Sequence, residues 1–402
     1  MSPIFLTLLH VAVTGSLLLA VVQLALNLAV IPRLRKVRPR EGRLPRVSIL
    51  VTARNEALNI EACVRSLLAQ DYPAFGVHVL DDHSTDGTGD IVRRLGLHEG
   101  NGGLLKGADL PEGWVGKNWA CHQLSEVAEG EYLLFTDADT MHAPGALRAL
   151  VSLAQERQAA LVSAWPEQLT VSLGERLVVS LLPFAGALFY PHFFLRLLEA
   201  YPGLRQWVPV KLRRSLGAAN GQVILFERTG YARVGGHAAL RAHLVEDVAL
   251  GRAVASRMGE GLWWVNCDGA GLVQCRMYRD LEEVWEGFTK NVRAAFEGGL
   301  AQFCAAGVVQ AVLFVLPFCW LMGPASHWEW ARCEVGLVLL LRVLAILGLG
   351  GSWWSVALHP IAYGLALAIG LNSWRRSAGA GVRWKGRLYQ VSHPSEQGEL
   401  GL

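Results

Sequence analysis

The sequence predicts an α/β fold: a doubly wound, mixed sheet with flanking transmembrane helices. Three observations carry that expectation. In the middle of the chain, short apolar runs ending in acidic residues alternate with stretches of helical periodicity. Long stretches free of Asp, Glu, Lys and Arg lie toward both ends. The 402 residues are 52% hydrophobic and only 18% charged, more apolar than an average soluble domain. A net charge of +3 gives no ground for a nucleic-acid partner. The seven cysteines show no CxxC pair and no zinc-like spacing, which reads as reduced thiols.

Residues 1–32 hold the first element. Ile4 to Ile31 carries no Asp, Glu, Lys or Arg, and at about 1.5 Å per residue it can cross a hydrocarbon core of about 30 Å. The linker 33–46 that follows is basic: Arg33, Arg35, Lys36, Arg38, Arg40, Arg43 and Arg46 stand against Glu41 alone. Positive charge beside a span marks the cytoplasmic side, so the domain expected over 47–297 is cytosolic. Further spans are expected within 298–374, near 303–322, 335–349 and 353–371, the middle one short and carrying Arg342. A basic tail, 375–402, closes the chain. The expected location is the cell's inner (plasma) membrane, multi-pass. A further apolar run, 177–195, would separate the acidic motifs described next if it crossed. It is therefore read as an interfacial segment lying where the lipid bilayer meets the site, and Pro183 and Pro191 argue against one straight helix there.

At the start of 47–297, the run from Arg46 to Arg54 reads as a buried parallel strand, with Asn55 and Glu56 at its end. Phe75 to Leu80 reads as a second strand, closed by Asp81 and Asp82. Ligands of such sheets bind at the carboxyl ends of the strands, which is where these residues fall. A third strand from Tyr132 ends in Asp137 and Asp139. One residue separates them, so on an extended chain both face one site. Close carboxylates repel unless a cation bridges them, and hard oxygen ligands suit Mg2+ or Mn2+; helix capping ahead of Pro144 is the plainer alternative. Glu246 and Asp247 open a helix after Gly235-Gly236, where acids also serve simply as caps. Lys117, beside Gly116, reads as a point charge for a diphosphate or as a solvated loop lysine. Lys290 and Arg293 read as diphosphate ligands or as the basic collar of the next span.

Together these residues resemble the family 2 glycosyltransferases from Val47 to about Phe296. The resemblance implies a GT-A-like fold and a metal-dependent, inverting transfer from a nucleotide-sugar donor. Ala53, Asn55, Glu56, Asp81 and Asp82 would then meet the nucleoside, Asp137 and Asp139 the metal, and Lys117, Lys290 and Arg293 the phosphates. Asp247, supported by Glu246, would take the acceptor's proton. Asn220, Gly221, Phe189 and Tyr190 are expected against the acceptor. The (Q/R)xxRW motif of many membrane-bound members has no counterpart here, since no tryptophan follows Arg293. That departure points away from cellulose-, hyaluronan- and ceramide-type enzymes. A narrower similarity, at Gly116 to Gln123, Phe135 to Thr140, Arg276 to Tyr278, Glu286 to Lys290 and Arg383 to Tyr389, is to bacterial carotenoid glycosyltransferases of the diaponeurosporenoate type. Hopanoid-associated glycosyltransferases are similar at Leu110 to Trp114 and His142 to Pro144. Both resemblances imply a polyisoprenoid membrane-lipid acceptor and a UDP-glucose-like hexose donor. A non-catalytic membrane binding or transport protein would explain the apolar stretches. It would leave the acidic strand ends without a purpose.

Overall fold

The computed structural model describes residues 3–40, 42–97, 102–296, 298–379 and 381–389; Glu41, His98 and the tail beyond Tyr389 lie outside them. The chain divides into two units. One is α/β and comprises Ile31–Leu169 and Leu195–Met277; the other is helical and comprises Met1–Val30, Thr170–Phe194 and Tyr278–Leu402.

Among the described residues the α/β unit holds ten strands: β1 (Val47–Ala53), β2 (Phe75–Asp81), β3 (Gly102–Lys106), β4 (Tyr132–Asp137), β5 (Thr140–His142), β6 (Leu161–Trp165), β7 (Glu167–Gln168), β8 (Val223–Glu227), β9 (Trp264–Asp268) and β10 (Val273–Cys275). Seven form one sheet in the order β3-β2-β1-β4-β8-β6-β9, and β5-β10-β7 form a second. In the large sheet every pairing is parallel except those of β8 with β4 and β6. The sheet is therefore mixed. Val47, Ile49, Val51, Val77, Val79, Leu133 and Leu134 are buried at its centre, each contributing about 1.5–3 kcal/mol of burial. Ser48 interrupts this run because its hydroxyl accepts the Glu129 and Gly130 amides at 3.1 and 2.9 Å. Gly130 passes so close that a Cβ there would lie 2.4 Å from the Ser48 nitrogen.

Register decides where the strand ends fall. Ala53 pairs with Asp81 on one side, and its neighbour Thr52 pairs with Asp137 on the other. The antiparallel β8 begins where β4 ends, Val223 opposite Thr136. That pairing brings 220–222 to the same edge.

In the helical unit, Pro3–Val30 is one helix of 28 residues, and Ile4–Val30 is long and apolar enough to cross a membrane. The apolar run 177–195 lies on three helices, Leu173–Val178, Leu181–Phe189 and His192–Ala200. They break at Tyr190–Pro191, and Asn27 of the first helix satisfies that break. Its amide donates to the Ala187 and Tyr190 carbonyls at 2.8 and 2.9 Å and accepts from the Phe193 nitrogen at 2.9 Å. The C-terminal region holds Leu300–Phe314, Leu316–Leu321, Trp328–Leu349, Trp354–Ala357 and His359–Ser377. The stretch expected as 303–322 is thus broken at Val315, and 353–371 is broken ahead of Pro360. The longest of these helices carries Glu329, Arg332, Glu334 and Arg342. Among the described residues, Ile4–Val30 is the single unbroken helix that passes as a membrane span by length and apolarity.

Candidate active site

The ends of β1 and β2 are tied into one cradle. Past Ala53, Asn55 adopts a left-handed backbone, φ 54°, which asparagine tolerates better than most residues. Its side-chain oxygen accepts the Thr85 amide at 2.9 Å, and its own amide donates to the Ser84 hydroxyl at 3.0 Å. Arg54 donates to the Asp82 carbonyl at 2.6 Å, and Asp81 accepts the Ser84 amide at 3.0 Å. The Glu56 amide donates to Thr88 at 2.8 Å, and Asp86 accepts the Ala57 amide at 2.9 Å. Asn55 is exposed, Glu56 and Asp81 are half-buried and Asp82 is buried. Backbone amides and carboxylates at the mouth of a parallel sheet suit a nucleoside.

Asp137 closes β4, but Asp139 lies in the turn between β4 and β5 and not on extended chain. Strand alternation therefore does not set its direction, as the sequence suggested. The turn does: the Thr140 hydroxyl donates to the Asp137 carbonyl at 2.8 Å, and the Arg276 amide donates to the Asp139 carbonyl at 3.3 Å. Beneath it, His142 contacts the Thr136 and Thr140 hydroxyls at 3.0 and 3.1 Å, and burial pulls its pKa down to about 4. The imidazole is neutral at pH 7 and adds no charge to the site.

Lys117 stands in the first turn of the helix Gly116–Val127 and not on a loop. Its ammonium lies 2.7 Å from an Asp137 oxygen and 2.8 Å from a Glu246 oxygen. Burial alone would lower its pKa, but these two carboxylates hold it well above the ordinary lysine value. Glu246 and Asp247 open the helix Glu246–Ser256. Asp247 accepts the Gly221 amide at 2.6 Å and the Val248 amide at 2.8 Å. Burial first, and Glu246 second, push the Asp247 carboxyl up to about 6, against the opposing pull of Lys117 and the two amides. A Cβ on Gly221 would sit 3.0 Å from the Asp247 oxygen, so the glycine leaves room for that contact.

Gln222 and Cys275 join this group without any signal in the sequence. The Gln222 carbonyl accepts from the Asp137 amide and the Thr136 hydroxyl at 3.2 and 2.8 Å. Its side chain accepts from Gln168 and Asn220 at 2.8 and 3.2 Å and donates to the Cys275 sulfur at 2.9 Å. Burial, with Asp139 and Asp137 nearby, raises the Cys275 thiol well above its ordinary range, so it stays protonated.

The α/β unit thus gathers Ala53, Asn55, Glu56, Asp81, Asp82, Lys117, Asp137, Asp139, Asn220, Gly221, Glu246 and Asp247. The other four expected residues belong to the helical unit. There Arg293 is buried, donates to the Phe296 carbonyl at 2.7 Å and stacks over the Trp374 ring at 4.3 Å. Lys290 shares its helix, Leu281–Ala295. Phe189 is 49% exposed, while the Tyr190 carbonyl is held by Asn27.

Among the described residues, no group of three or more His, Cys, Asp or Glu side chains is placed to hold a metal ion by itself. Asp137 and Asp139 offer hard oxygens, and Mg2+-type ions commonly take one or two carboxylates and complete their shell with substrate phosphates and water. The donor set therefore fits a cation shared with a diphosphate and not a closed protein cage.

Residues 48–185 match the family model described as glycosyl transferase family 2. The chain is 26% identical over 359 residues to a 4,4'-diaponeurosporenoate glycosyltransferase of Staphylococcus aureus (strain MRSA252), which covers 86% of this chain and 88% of the relative. It is 25% identical, with the same coverage, to the protein of that name from strain bovine RF122 / ET3-1. Among solved structures, the mannosyltransferase PcManGT of Pyrobaculum calidifontis, in complex with GDP-Man and Mn2+, matches with a TM-score of 0.50 and 18% identity. That match covers 92% of this chain and 98% of the other, and it is a likeness of fold.

Proposed function

We propose that this chain, an enzyme carrying a family 2 glycosyltransferase domain, performs inverting transfer of a hexose from a nucleotide-sugar to a polyisoprenoid lipid of the membrane, a carotenoid in the first instance. The observation that carries the reading is the constellation at one sheet edge: Lys117 bridges Asp137 and Glu246 at 2.7 and 2.8 Å, and Asp247, next to Glu246 in the chain, accepts the Gly221 amide at 2.6 Å. Two facts support the lipid acceptor: the curated relatives are named for 4,4'-diaponeurosporenoate, and the first helix is long and apolar enough for a bilayer. In this reading 1–32 and 298–374 hold the membrane, 177–195 lies in its cytosolic interface, and Phe189 and Tyr190 face the lipid.

Ala53, Asn55, Glu56, Asp81 and Asp82 hold the nucleoside. Asp137 and Asp139 would hold Mg2+ or Mn2+, and that ion would supply charge neutralisation to the departing nucleotide. Lys117 already neutralises Asp137 and Glu246, so the carboxylates stay close together before any donor arrives. A diphosphate entering beside it gains the ammonium as a further donor. Asp247 works on the acceptor. Its carboxylate takes the hydroxyl proton as the acceptor oxygen forms its bond to the anomeric carbon and the bond to the diphosphate breaks on the opposite face. A pKa near 6 leaves it ionised at neutral pH yet basic enough to accept the proton. A carboxylate acceptor, as the relatives' name denotes, arrives already deprotonated and needs no such step. The acceptor group is thus a hydroxyl, with Asp247 as its base, or a carboxyl of the lipid. A hopanoid or another lipid is the second reading, carried by the same hydroxyl chemistry.

The test is direct. Membranes containing the chain are incubated with radiolabelled UDP-glucose, UDP-N-acetylglucosamine or GDP-mannose, and the labelled lipid is extracted and identified. Label in a carotenoid or hopanoid fraction is expected from one donor. Release of free sugar alone, or label only in water-soluble products, overturns the lipid reading.

A further inference from the structure

Residues 201–212 present an apolar line on the outside of the α/β unit. Pro202–Trp207 is a 3-10 helix, in which residues three apart stand one above the other. Tyr201, Leu204 and Trp207 therefore share a line, and Val210, the first residue of the helix Val210–Ser215, continues the spacing. These four are 61, 47, 78 and 67% exposed, and Leu212 beside them is 45% exposed. Single exposed apolar residues are ordinary, but a regular row with tryptophan at its most exposed point is a contact surface. The underside is fastened so that the row stays outward. Arg205 donates to the Leu198 carbonyl at 2.9 Å and lies 4.2 Å over the Trp263 ring, Arg213 donates to the Val208 carbonyl at 2.9 Å, and Val208 is buried.

The charge along this stretch of chain has one sign. From Ala200 to Phe226 there is no acidic residue, while Arg205, Lys211, Arg213 and Arg214 all fall within it; Lys211 and Arg214 are exposed beside the row. Tryptophan and tyrosine with flanking lysine and arginine suit the headgroup layer, where rings sit among apolar stems and cations meet phosphates. A second copy would set basic residues against basic residues. We propose that this row docks the α/β unit on the surface of an anionic bilayer, so that the unit touches the membrane by its own side chains as well as through a tether. The inference rests on the exposed row and not on the identity of donor or acceptor. The α/β unit begins at Ile31, directly after the helix Ile4–Val30, which supplies the bilayer within reach of the chain.

The test uses the full chain with the exposed Cys304, Cys319 and Cys333 changed to serine, leaving the buried Cys63, Cys121, Cys267 and Cys275 in place. A bimane fluorophore is attached in three separate proteins through Trp207→Cys, Val210→Cys or, as a control, Glu129→Cys, whose side chain is 69% exposed. Each is reconstituted into phosphatidylcholine vesicles with or without phosphatidylglycerol, carrying a quencher on the acyl chains. Quenching and a blue shift are expected for the probes at 207 and 210 when phosphatidylglycerol is present, and not for the probe at 129. Lys211→Glu with Arg214→Glu is expected to abolish that dependence on anionic lipid. Probes at 207 and 210 that behave like the one at 129 overturn the proposal. So does cross-linking between copies through the cysteine at 207 in place of quenching, or quenching indifferent to lipid charge.

Discussion

Polar side chains serve opposite ends in the two units. In the α/β unit, Asp81 and Asp137 stand where strands stop, and Glu246 and Asp247 where a helix starts. In the helical unit, the buried polar groups repair the helices or hold them together. Asn27, 1% exposed, supplies the backbone partners lost at Tyr190–Pro191. Glu334, fully buried, accepts from Thr14 at 3.3 Å and lies 3.0 Å from His10, and Arg342 donates to Ser180 while lying over Phe184. A polar residue's meaning here follows from whether the backbone around it already has its hydrogen bonds.

That contrast can be broken by substitution. Asp139→Asn in the α/β unit is expected to abolish transfer, with circular dichroism and melting temperature unchanged. Full activity of this variant, or of the native chain in EDTA, would remove the metal from the proposed mechanism. Asp247→Asn is expected to cut turnover by about two to four orders of magnitude while donor affinity holds. The native enzyme should lose activity as pH falls below about 6, the pKa of Asp247. Stability should move the other way. The folded carboxyl binds its proton more tightly than the unfolded one, whose pKa is 3.8. This group's contribution to stability is therefore full below pH 3.8 and is lost as pH rises through about 6. The asparagine variant should lack both trends, and a melting temperature well below the native value at neutral pH would show Asp247 to be structural.

Smaller effects test the helical unit and the bridge at Lys117. Asn27→Leu removes the partner of the Ala187 carbonyl and of the Phe193 amide, while the Tyr190 carbonyl keeps the His192 amide at 2.9 Å; it should cost about 2–5 kcal/mol, read as a lower melting temperature in detergent, with turnover per folded molecule retained. Loss of turnover at unchanged stability would place Asn27 with the chemistry. Lys117→Met leaves Asp137 and Glu246 without their shared cation; a third of its side chain is exposed, so the loss should be about 1–2 kcal/mol. Its pH profile should move upward, because Lys117 helps keep Asp247 ionised. An unmoved profile would uncouple the two.

The strand ends were legible because buried parallel strands are short apolar runs, and whatever polar residue stops one stands at the sheet edge. Asp81 and Asp137 could be found that way, and so could Glu246 and Asp247 at a helix start. Asp139 was set beside Asp137 for a reason that does not hold, since it sits in a turn. Gln222 and Cys275 were not legible. Their roles depend on β8 running antiparallel beside β4 and on β10 lying between β5 and β7, pairings that no local pattern announces. Asn27 was hidden by its surroundings, one amide within a long charge-free stretch. Likewise, no spacing rule seats Arg293 on Trp374, 81 positions away.

The chain leaves the α/β unit after Leu169 and returns at Leu195, between β6 and β8. β8 lies between β4 and β6 in the sheet, so the ribosome has completed the whole excursion before the central strand exists. During synthesis, β4 and β6 must wait with open edges until residues 223–227 emerge. Trimming the termini would therefore not yield a free-standing catalytic domain. An engineered one would also need a substitute for 170–194.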